Sequence, residues 1–304
     1  MKSLDAAPIL VIGSANLDMI VKSDRLPRPG ETVIGGTFSM VPGGKGANQA
    51  VAAARMGGAV QLLTCLGNDA FGRSLLETYG KESVDTRLIT FLDDTHTGVA
   101  FIFVDAAGEN MISVASGANA RLTPDRLSAL ERARQPAWVL LQLEIPPATV
   151  EAAARWARAQ GAGVILDPAP APREGLSDEL LSLVDILTPN EVEAAALTGG
   201  VVGSPVEALA AGRALLERGV REVIVTLGER GGVYVSATDD WNYATPPVRA
   251  LDTTAAGDCF TGALAVGLAE GLPRREAVGL AARAAAVSVT RLGAQSSLPL
   301  RREV

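Results

Sequence analysis

Short apolar runs alternate with helical patterns along most of the chain. The runs that read as buried strands consist mainly of apolar residues and lie at 9–12, 60–66, 138–143, 164–167, 184–187 and 222–227. Apolar residues at helical spacing indicate helices at 47–56, 69–79, 147–160, 205–218 and 276–291. Strands that alternate with helices predict an α/β fold, with a mostly parallel central sheet covered by helices on both faces.

Two segments interrupt this alternation. Residues 19–41 contain prolines and two short β patterns, at 19–21 and 32–34, and residues 98–114 have the pattern of a hairpin. We expect these segments, about 17–42 and 97–117, to form a small β-sheet that covers the ligand edge as a lid and excludes water. No long linker divides the chain, so we expect one domain over 1–304.

Composition excludes several functional classes. The chain has 304 residues, 48% of them apolar, and a net charge of −7, which argues against a nucleic-acid surface. No run approaches the ~18 apolar residues that cross a membrane. Two cysteines and a single histidine, His96, argue against a disulfide framework, a Ser-His-Asp triad and a multi-histidine metal site. A reducing cytoplasm is the expected location.

The segment 251–260 combines a loop of small residues with the start of a helix. Ala255, Ala256 and Gly257 allow a ligand to approach the backbone closely. The free N–H groups and the dipole of a helix start favour an anion such as a phosphoryl group. Asp258 carries a negative charge there, which suits a base that accepts a proton from an attacking hydroxyl. The alternative is that Asp258 only stabilises the helix dipole.

Polar residues follow other strands at the edge where α/β proteins bind ligands. Asn16 and Asp18 follow the first strand and Glu144 follows the strand at 138–143. They could hold sugar hydroxyls, although Asn16 and Asp18 could equally form a simple turn. Lys45 lies in a glycine-rich loop that is no Walker A motif, since Gly46 stands where Ser or Thr must follow the lysine. A solvated lysine at a helix start is the alternative there.

A further group of residues suits a nucleotide. Asn190 and Glu193 lie on one face of a helix start and could hold a hydrated Mg²⁺, although Glu193 could simply favour the helix dipole. Thr226, Gly228 and Gly231 close the strand at 222–227. A sugar end, an anion loop with a base and a nucleotide end together suit transfer of the ATP γ-phosphoryl group to a hydroxyl.

Two motifs resemble one enzyme family over essentially the whole chain. Segments 43–50 (GGKGANQA) and 252–258 (DTTAAGD) resemble the two sequence signatures of the ribokinase-like, phosphofructokinase-B type carbohydrate kinases. Segments 14–18, 142–144 and 289–295 resemble the ribokinase branch of that family. The resemblance implies a three-layer sandwich with a β-sheet lid, and phosphorylation of D-ribose at its 5-hydroxyl by ATP.

The resemblance also implies residue roles. Asp258 would be the base, and the amides of Ala255, Ala256 and Gly257 the anion hole. Asp258 would also touch the sugar, with the other sugar ligands being Asn16, Asp18, Gly44, Lys45, Asn48 and Glu144. Besides Gly257, the ATP site would include Asn190, Thr226, Gly228 and Gly231, with Glu193 acting through Mg²⁺ and its waters. A K⁺ ion would be held by Asp252, Thr254, Ser288, Arg291, Gly293 and Ser297, several of them through backbone oxygens.

The resemblance further implies a homodimer in which the lid sheets pack on each other. The chain departs from the family pattern at Cys259 and Thr261, where we expect little effect. It also departs at Asp167, which replaces the Asn of many ribokinases and adds negative charge near the phosphates.

Three alternatives stay open. The same kinase could act on 2-keto-3-deoxygluconate, fructose, deoxyribose or a nucleoside such as adenosine. A non-catalytic sugar or nucleotide sensor would be expected to lack the base, whereas Asp258 is present. A nicotinamide dehydrogenase is disfavoured because no G-x-G-x-x-G follows the first strand.

Overall fold

The computed structural model describes residues 8–304. The main sheet has eight strands in the order β14-β13-β12-β11-β10-β9-β1-β4. Six of them, from β12 to β4, are parallel, and β13 and β14 extend the sheet in antiparallel fashion. The strands are β1 (Ile9–Ile12), β4 (Val60–Leu63), β9 (Trp138–Leu141), β10 (Gly163–Leu166), β11 (Ile186–Leu187), β12 (Glu222–Thr226), β13 (Gly232–Ser236) and β14 (Asp240–Tyr243).

Helices cover both faces of this sheet. They are α1 (Lys45–Arg55), α2 (Ala70–Lys81), α3 (Pro147–Ala159), α4 (Asp178–Leu183), α5 (Glu191–Thr198), α6 (Pro205–Glu217), α7 (Ala256–Ala269) and α8 (Arg274–Ser288). Successive residues of β1 point to opposite sides. Ile9 and Val11 pack with α1, α7 and α8, whereas Leu10 and Ile12 pack with α3. Burial on both faces explains why this strand is continuously apolar, and the predicted α/β class is confirmed.

A separate four-stranded sheet has the order β3-β2-β7-β8. It consists of β2 (Asn16–Lys22), β3 (Thr37–Gly43), β7 (Gly98–Val104) and β8 (Asn110–Ala115). The two predicted β-rich segments therefore pair with each other, and β2 and β7 run parallel. That this sheet acts as a lid stays a prediction. A two-stranded sheet of β5 (Cys65–Gly67) and β6 (Thr90–Leu92) lies between these segments in sequence.

Some predicted elements are wrong or displaced. Residues 32–34 form no strand, because β2 pairs with 37–43 instead. The predicted strand at 60–66 is two strands, since β5 turns away to pair with β6. The last helix ends at Ser288, and the Val289 carbonyl then accepts the N–H group of Leu251 at 2.7 Å. No helix within residues 8–304 has both the length and the apolar character that a bilayer crossing requires.

Candidate active site

The N-terminus of α7 lies at the centre of the site. Ala255, just before the helix, adopts a left-handed conformation with φ 59°, and no side chain caps the helix. The Ala256 N–H bonds to the Thr253 carbonyl at 3.2 Å. The amides of Ala255, Gly257 and Asp258 have no acceptor among the described residues. Three donors and the positive end of the helix dipole are therefore available to an anion.

Asp258 lies in the first turn of α7 and is buried, with 3% of its surface exposed. Its Oδ2 accepts a hydrogen bond from Asn48 Nδ2 at 2.9 Å, and its Oδ1 accepts one from Gln49 Nε2 at 3.1 Å. Burial raises the pKa of Asp258, while Lys45 and these two amides oppose the rise. The carboxylate is thus oriented by α1 and prepared to accept a proton.

Close backbone contact brings α1 to this position. Gly44 precedes the helix with φ 86°, and a Cβ added there would lie 2.7 Å from the Asn16 amide nitrogen. A Cβ on Gly46 would lie 2.6 Å from the Ser14 amide nitrogen. Only glycine permits this approach, which holds the start of α1 against the end of β1.

Lys45 lies between two carboxylates. Its Nζ is 4.0 Å from Asp258 Oδ1 and 3.9 Å from Asp167 Oδ2. Burial alone would lower the pKa of Lys45, but the nearby charges of Asp258 and Asp167 raise it. Burial likewise raises the pKa of Asp167, against the attraction of Lys45. One ammonium group thus faces two buried acids.

Glu144 is tied to the same helix start. Its Oε2 accepts hydrogen bonds from the Lys45 amide at 3.0 Å and from Ser14 Oγ at 2.5 Å. Asn16 is held from the other side, because its Oδ1 accepts a hydrogen bond from Asn119 Nδ2 at 2.7 Å. The Asn119 Oδ1 in turn accepts the Ala15 N–H group at 2.9 Å. The predicted sugar ligands are therefore oriented by buried neighbours.

Asp18 reaches the site from β2 of the smaller sheet. Its pKa is raised to about 7 by burial, with further contributions from the charges of Glu144 and Asp258. It packs over Gly43, where an added Cβ would lie 2.2 Å from Asp18 Oδ2. Asp18 thus brings a third carboxyl group toward Glu144 and Asp258, and it comes from the other sheet.

Two cavities meet at the start of α7. The smaller, of about 200 Å³, is polar and lined by residues that include Lys45, Asp167, Asn190, Glu193, Ala255 and Asp258. The larger, of about 690 Å³, is mainly apolar and lined by residues that include Gly228, Gly231, Tyr243, Pro246, Val248 and Ala286. Both are lined by Thr226, Thr253, Ala256, Gly257 and Phe260. Asn16, Asp18, Gly44, Asn48 and Glu144 do not line these two cavities and reach the site through the contacts above.

Asn190 and Glu193 form a capping box at the start of α5. The Asn190 side chain accepts the Glu193 N–H group and the Glu193 Oε2 accepts the Asn190 N–H group, each at 2.9 Å. Burial raises the pKa of Glu193, while the hydrogen bond from the Asn190 amide lowers it. The second carboxylate oxygen of Glu193 has no hydrogen-bond partner among the described residues.

The loop before α7 is fixed to the loop after α8. Asp252 Oδ1 accepts hydrogen bonds from the amide and hydroxyl of Thr254, and its Oδ2 accepts the Gly293 N–H group at 2.8 Å. The Arg291 side chain pairs with Glu303. The hydroxyls of Ser288 and Ser297 donate to the carbonyls of Ala285 and Ala294. These loops therefore bring carboxylate, hydroxyl and carbonyl oxygens, the ligands that a hard cation prefers, close to the start of α7.

Several residues of the site have no role in the sequence prediction. Gln49 bonds to both Asp258 and Asp167, and Asn119 orients Asn16. Phe260 lines both cavities. Gln49 lies inside the 43–50 motif, which was a usable signal, whereas nothing near Asn119 in the sequence marks it.

Comparisons with known proteins identify the family of this chain. A model of the pfkB family of carbohydrate kinases matches residues 6–301. The ribokinase of Haemophilus influenzae is 43% identical over 297 residues, which are 97% of this chain and 96% of that protein. The deoxyribokinase of Salmonella typhi is 37% identical over 292 residues, 96% of this chain and 95% of that protein.

A solved structure, that of Arabidopsis thaliana ribokinase complexed with ribose and ATP, has a TM-score of 0.90 with this chain at 34% identity. The match covers 98% of this chain and 97% of that one. Because the family model and full-length relatives match nearly every residue, the chain belongs to the pfkB family of carbohydrate kinases.

Proposed function

We propose that the protein transfers the γ-phosphoryl group of ATP to the 5-hydroxyl of D-ribose, giving ribose 5-phosphate and ADP. The observation that carries this proposal is the position of Asp258. It is a buried carboxylate in the first turn of α7, beside three amides without acceptors, at the point where a polar and an apolar cavity meet. A base beside an anion site suits phosphoryl transfer to a hydroxyl.

The reaction follows from these groups. The sugar 5-hydroxyl donates its proton to Asp258 as its oxygen attacks the γ-phosphorus, and the bond from that phosphorus to the β,γ-bridging oxygen breaks to release ADP. Charge that develops on the transferring group faces the amides of Ala255 and Gly257. The Ala256 amide would join them only after leaving Thr253, a small change in the turn. The positive charge of Lys45 would balance the negative charge of Asp258 and keep the Asp258 carboxylate near the sugar.

The remaining predicted residues fall into a sugar group and an ATP group. Asn16, Asp18, Gly44, Lys45, Asn48 and Glu144 surround the start of α1 and would hold the sugar. Asn190, Thr226, Gly228, Gly231 and Gly257 line the two cavities and would hold ATP, with the base of the nucleotide in the apolar one. The lid sheet would close over the sugar from β2, which already brings Asp18 to the site.

A hydrated Mg²⁺ fits the polar cavity. Glu193 lines this cavity, and within residues 8–304 no three acidic, histidine or cysteine side chains are grouped as direct ligands. Such a site suits an ion that keeps most of its waters. When bound, Mg²⁺ would neutralise charge on the ATP phosphates.

A monovalent cation such as K⁺ fits the loops joined by Asp252. The carbonyl oxygens of Asp252, Thr254, Arg291 and Gly293 accept no hydrogen bond from another described residue. Asp252 adds negative charge, and its pKa is lowered by its hydrogen bonds from Thr254 and Gly293 despite partial burial. Oxygen ligands of this kind suit a hard cation, which would position the loop that supplies the anion hole.

We also propose a homodimer and a cytoplasmic location. One face of the lid sheet exposes Phe38, Met40, Phe101 and Met111, which share that face by their strand register. A contiguous apolar surface of this kind is typical of a protein interface, and a second lid would cover it. Free, buried Cys65 and Cys259 are consistent with a reducing compartment.

The test is ATP-dependent release of ADP with D-ribose, 2-deoxyribose, fructose, 2-keto-3-deoxygluconate and adenosine, with and without K⁺. We expect strong turnover on ribose, stimulated by K⁺. Asp258→Asn should reduce kcat by about 10²-fold or more and keep ribose binding, because the change removes a proton acceptor and almost no volume. Near-normal turnover of this variant would contradict the base assignment.

2-Deoxyribose is the second candidate substrate, because one relative at 37% identity is named a deoxyribokinase. Turnover on 2-deoxyribose with none on ribose would replace the proposed substrate and keep the phosphoryl-transfer mechanism.

A further inference from the structure

A line of buried amides runs from the end of β9 to the base. Gln142 Nε2 donates to Gln49 Oε1 at 2.6 Å. Gln49 Nε2 then donates to Asp167 Oδ2 at 2.9 Å and to Asp258 Oδ1 at 3.1 Å. Gln49 and Gln142 are fully buried. Each of these hydrogen bonds joins two protein atoms directly.

The two donors of the Gln49 amide are both used, one on each carboxylate. If the amide were rotated by half a turn, its oxygen would face two carboxylate oxygens and its NH₂ group would face the NH₂ group of Gln142. That arrangement replaces three attractive contacts by repulsive ones. The two carboxylates and Gln142 therefore together hold the amide in the orientation that presents donors to Asp167 and Asp258.

This arrangement has a consequence for the base. Asp258 receives one side-chain amide donor on each oxygen, from Asn48 on Oδ2 and from Gln49 on Oδ1. A carboxylate oxygen has two lone-pair sites, so each keeps one free for a hydroxyl proton. Two donors from adjacent residues of one helix also fix the plane of the carboxylate, and hence the direction in which it accepts that proton.

We propose that Gln49 is a positioning residue for the base. Gln49, which is held by Gln142, orients the Asp258 carboxylate. Its NH₂ group also lies between the carboxylates of Asp258 and Asp167 and bonds to both. The proposal rests on the proposed function, because Asp258 must act as the base for its orientation to matter. Gln49 itself does not touch the reacting atoms.

The test compares Gln49→Met and Gln49→Glu with the parent enzyme and with Gln61→Met. Gln61 is a matched control, since it is equally buried and lies away from the site. Its side chain donates to the carboxylate of Asp85 and accepts the N–H group of Arg134. Measurements are kcat and KM for ribose, the pH profile of kcat/KM, and thermal unfolding. Gln142→Met is added because it disturbs the orientation of Gln49 without removing its donors.

We expect Gln49→Met to reduce kcat by roughly 10- to 100-fold, the loss typical of one hydrogen bond to a charged group, with little change in KM. The acidic limb of the pH profile should move to higher pH, since a donor that stabilises the carboxylate is lost. Gln49→Glu should move it further, and Gln142→Met should act in the same direction but less. The charged groups that face Asp258 in every variant are Lys45, Asp167, Glu144, Asp18 and Glu193.

Each outcome decides something. If the parent enzyme is active and Gln49→Met matches it in kcat and pH profile, the positioning role is wrong while the proposed function stands. If Gln61→Met loses as much activity as Gln49→Met, the loss is structural and the positioning role is again wrong. If Gln49→Met does not fold, a parent-like kcat and pH profile in Gln142→Met would overturn it. If the parent enzyme turns over no sugar, the proposed function and this inference fail together.

Discussion

Asp18 shows at the scale of one residue how the proposed binding role would conflict with stability. Its carboxyl group lies with those of Glu144 and Asp258, and its pKa is raised to about 7 by burial and by these neighbours. A group whose pKa is higher in the folded state stabilises the fold below its unfolded pKa. That stabilisation is lost as the pH rises through the folded pKa.

Asp18→Asn should therefore be more stable than the parent protein at pH 8 without sugar. The difference in free energy of unfolding between the two proteins should be small near pH 4, increase up to about pH 7 and stay constant above that pH. Its upper limit is about 1.4 kcal/mol for each unit by which folding raises the pKa of Asp18. Urea unfolding of both proteins between pH 4 and pH 8 measures it. Parallel curves would show that Asp18 is not destabilised by burial. Ribose binding should weaken in the variant.

In the proposed sugar site, Asn119 would act only through Asn16. Its Nδ2 donates to Asn16 Oδ1 at 2.7 Å, so the Asn16 NH₂ group remains for the ligand. Asn119→Asp replaces this donor by an acceptor and should raise KM for ribose by about tenfold or more, because a buried polar pair becomes repulsive. KM for ATP is the internal control and should not change. An equal rise in both constants would indicate a general loss of structure.

At the scale of elements, the position of α1 depends on Gly46. An added Cβ would lie 2.6 Å from the Ser14 amide nitrogen and 2.7 Å from the Gly13 carbonyl carbon, both backbone atoms that cannot move alone. Gly46→Ala should destabilise the protein by about 1–3 kcal/mol and lower kcat, because Lys45, Asn48 and Gln49 move with the helix.

Gly80→Ala is the control for this change. Gly80 lies in α2, and nothing is within 4 Å of an added Cβ. This variant should gain about 0.5–1 kcal/mol, since alanine is the better helix former. Thermal unfolding and ADP release on both variants give the comparison. A Gly46→Ala protein as stable and active as the parent would mean that α1 tolerates a shift.

The elements also show what the sequence can predict. Strands such as β1 and β9 are buried on both faces, so their apolar runs mark them without knowledge of the partner. The segment 32–34 has strand-forming residues but no partner, because pairing with β2 begins at Thr37. The edge strand β14 alternates polar and aromatic residues over only four positions, too few to distinguish it from a loop.

The site was predictable where its residues lie in continuous motifs. Lys45, Asn48 and Asp258 are marked by their glycine-rich or small neighbours, and the structure brings these segments into contact. The bond from Gln49 to Asp167 joins residues far apart in sequence, and so does the bond from Asn119 to Asn16. Such pairs depend on tertiary packing, which no local pattern records.

At the scale of the whole molecule, the exposed apolar face of the four-stranded sheet supports the proposed dimer. Met40→Lys would place a charge in the proposed interface and should convert the proposed dimer to a monomer, as measured by sedimentation or light scattering. Val206→Lys is the control, because Val206 is exposed elsewhere, at the start of α6. Dimers that persist in Met40→Lys would contradict an interface at this face.

The parallel pairing of β2 with β7 has a consequence for biogenesis. Asn16 is the register partner of Gly98, so all of the first ninety-seven residues must be made before β2 can pair with its second neighbour, β7. Contacts between distant parts of the chain are slow to form. A ribosome-bound chain that ends before β7 can contain Asn16, Asp18 and Lys45 and still lack half of the sheet that carries two of them. The proposed sugar site also needs Glu144 and Asp258, which are made after this segment, so a sugar could stabilise the nascent protein only once all of these parts have emerged.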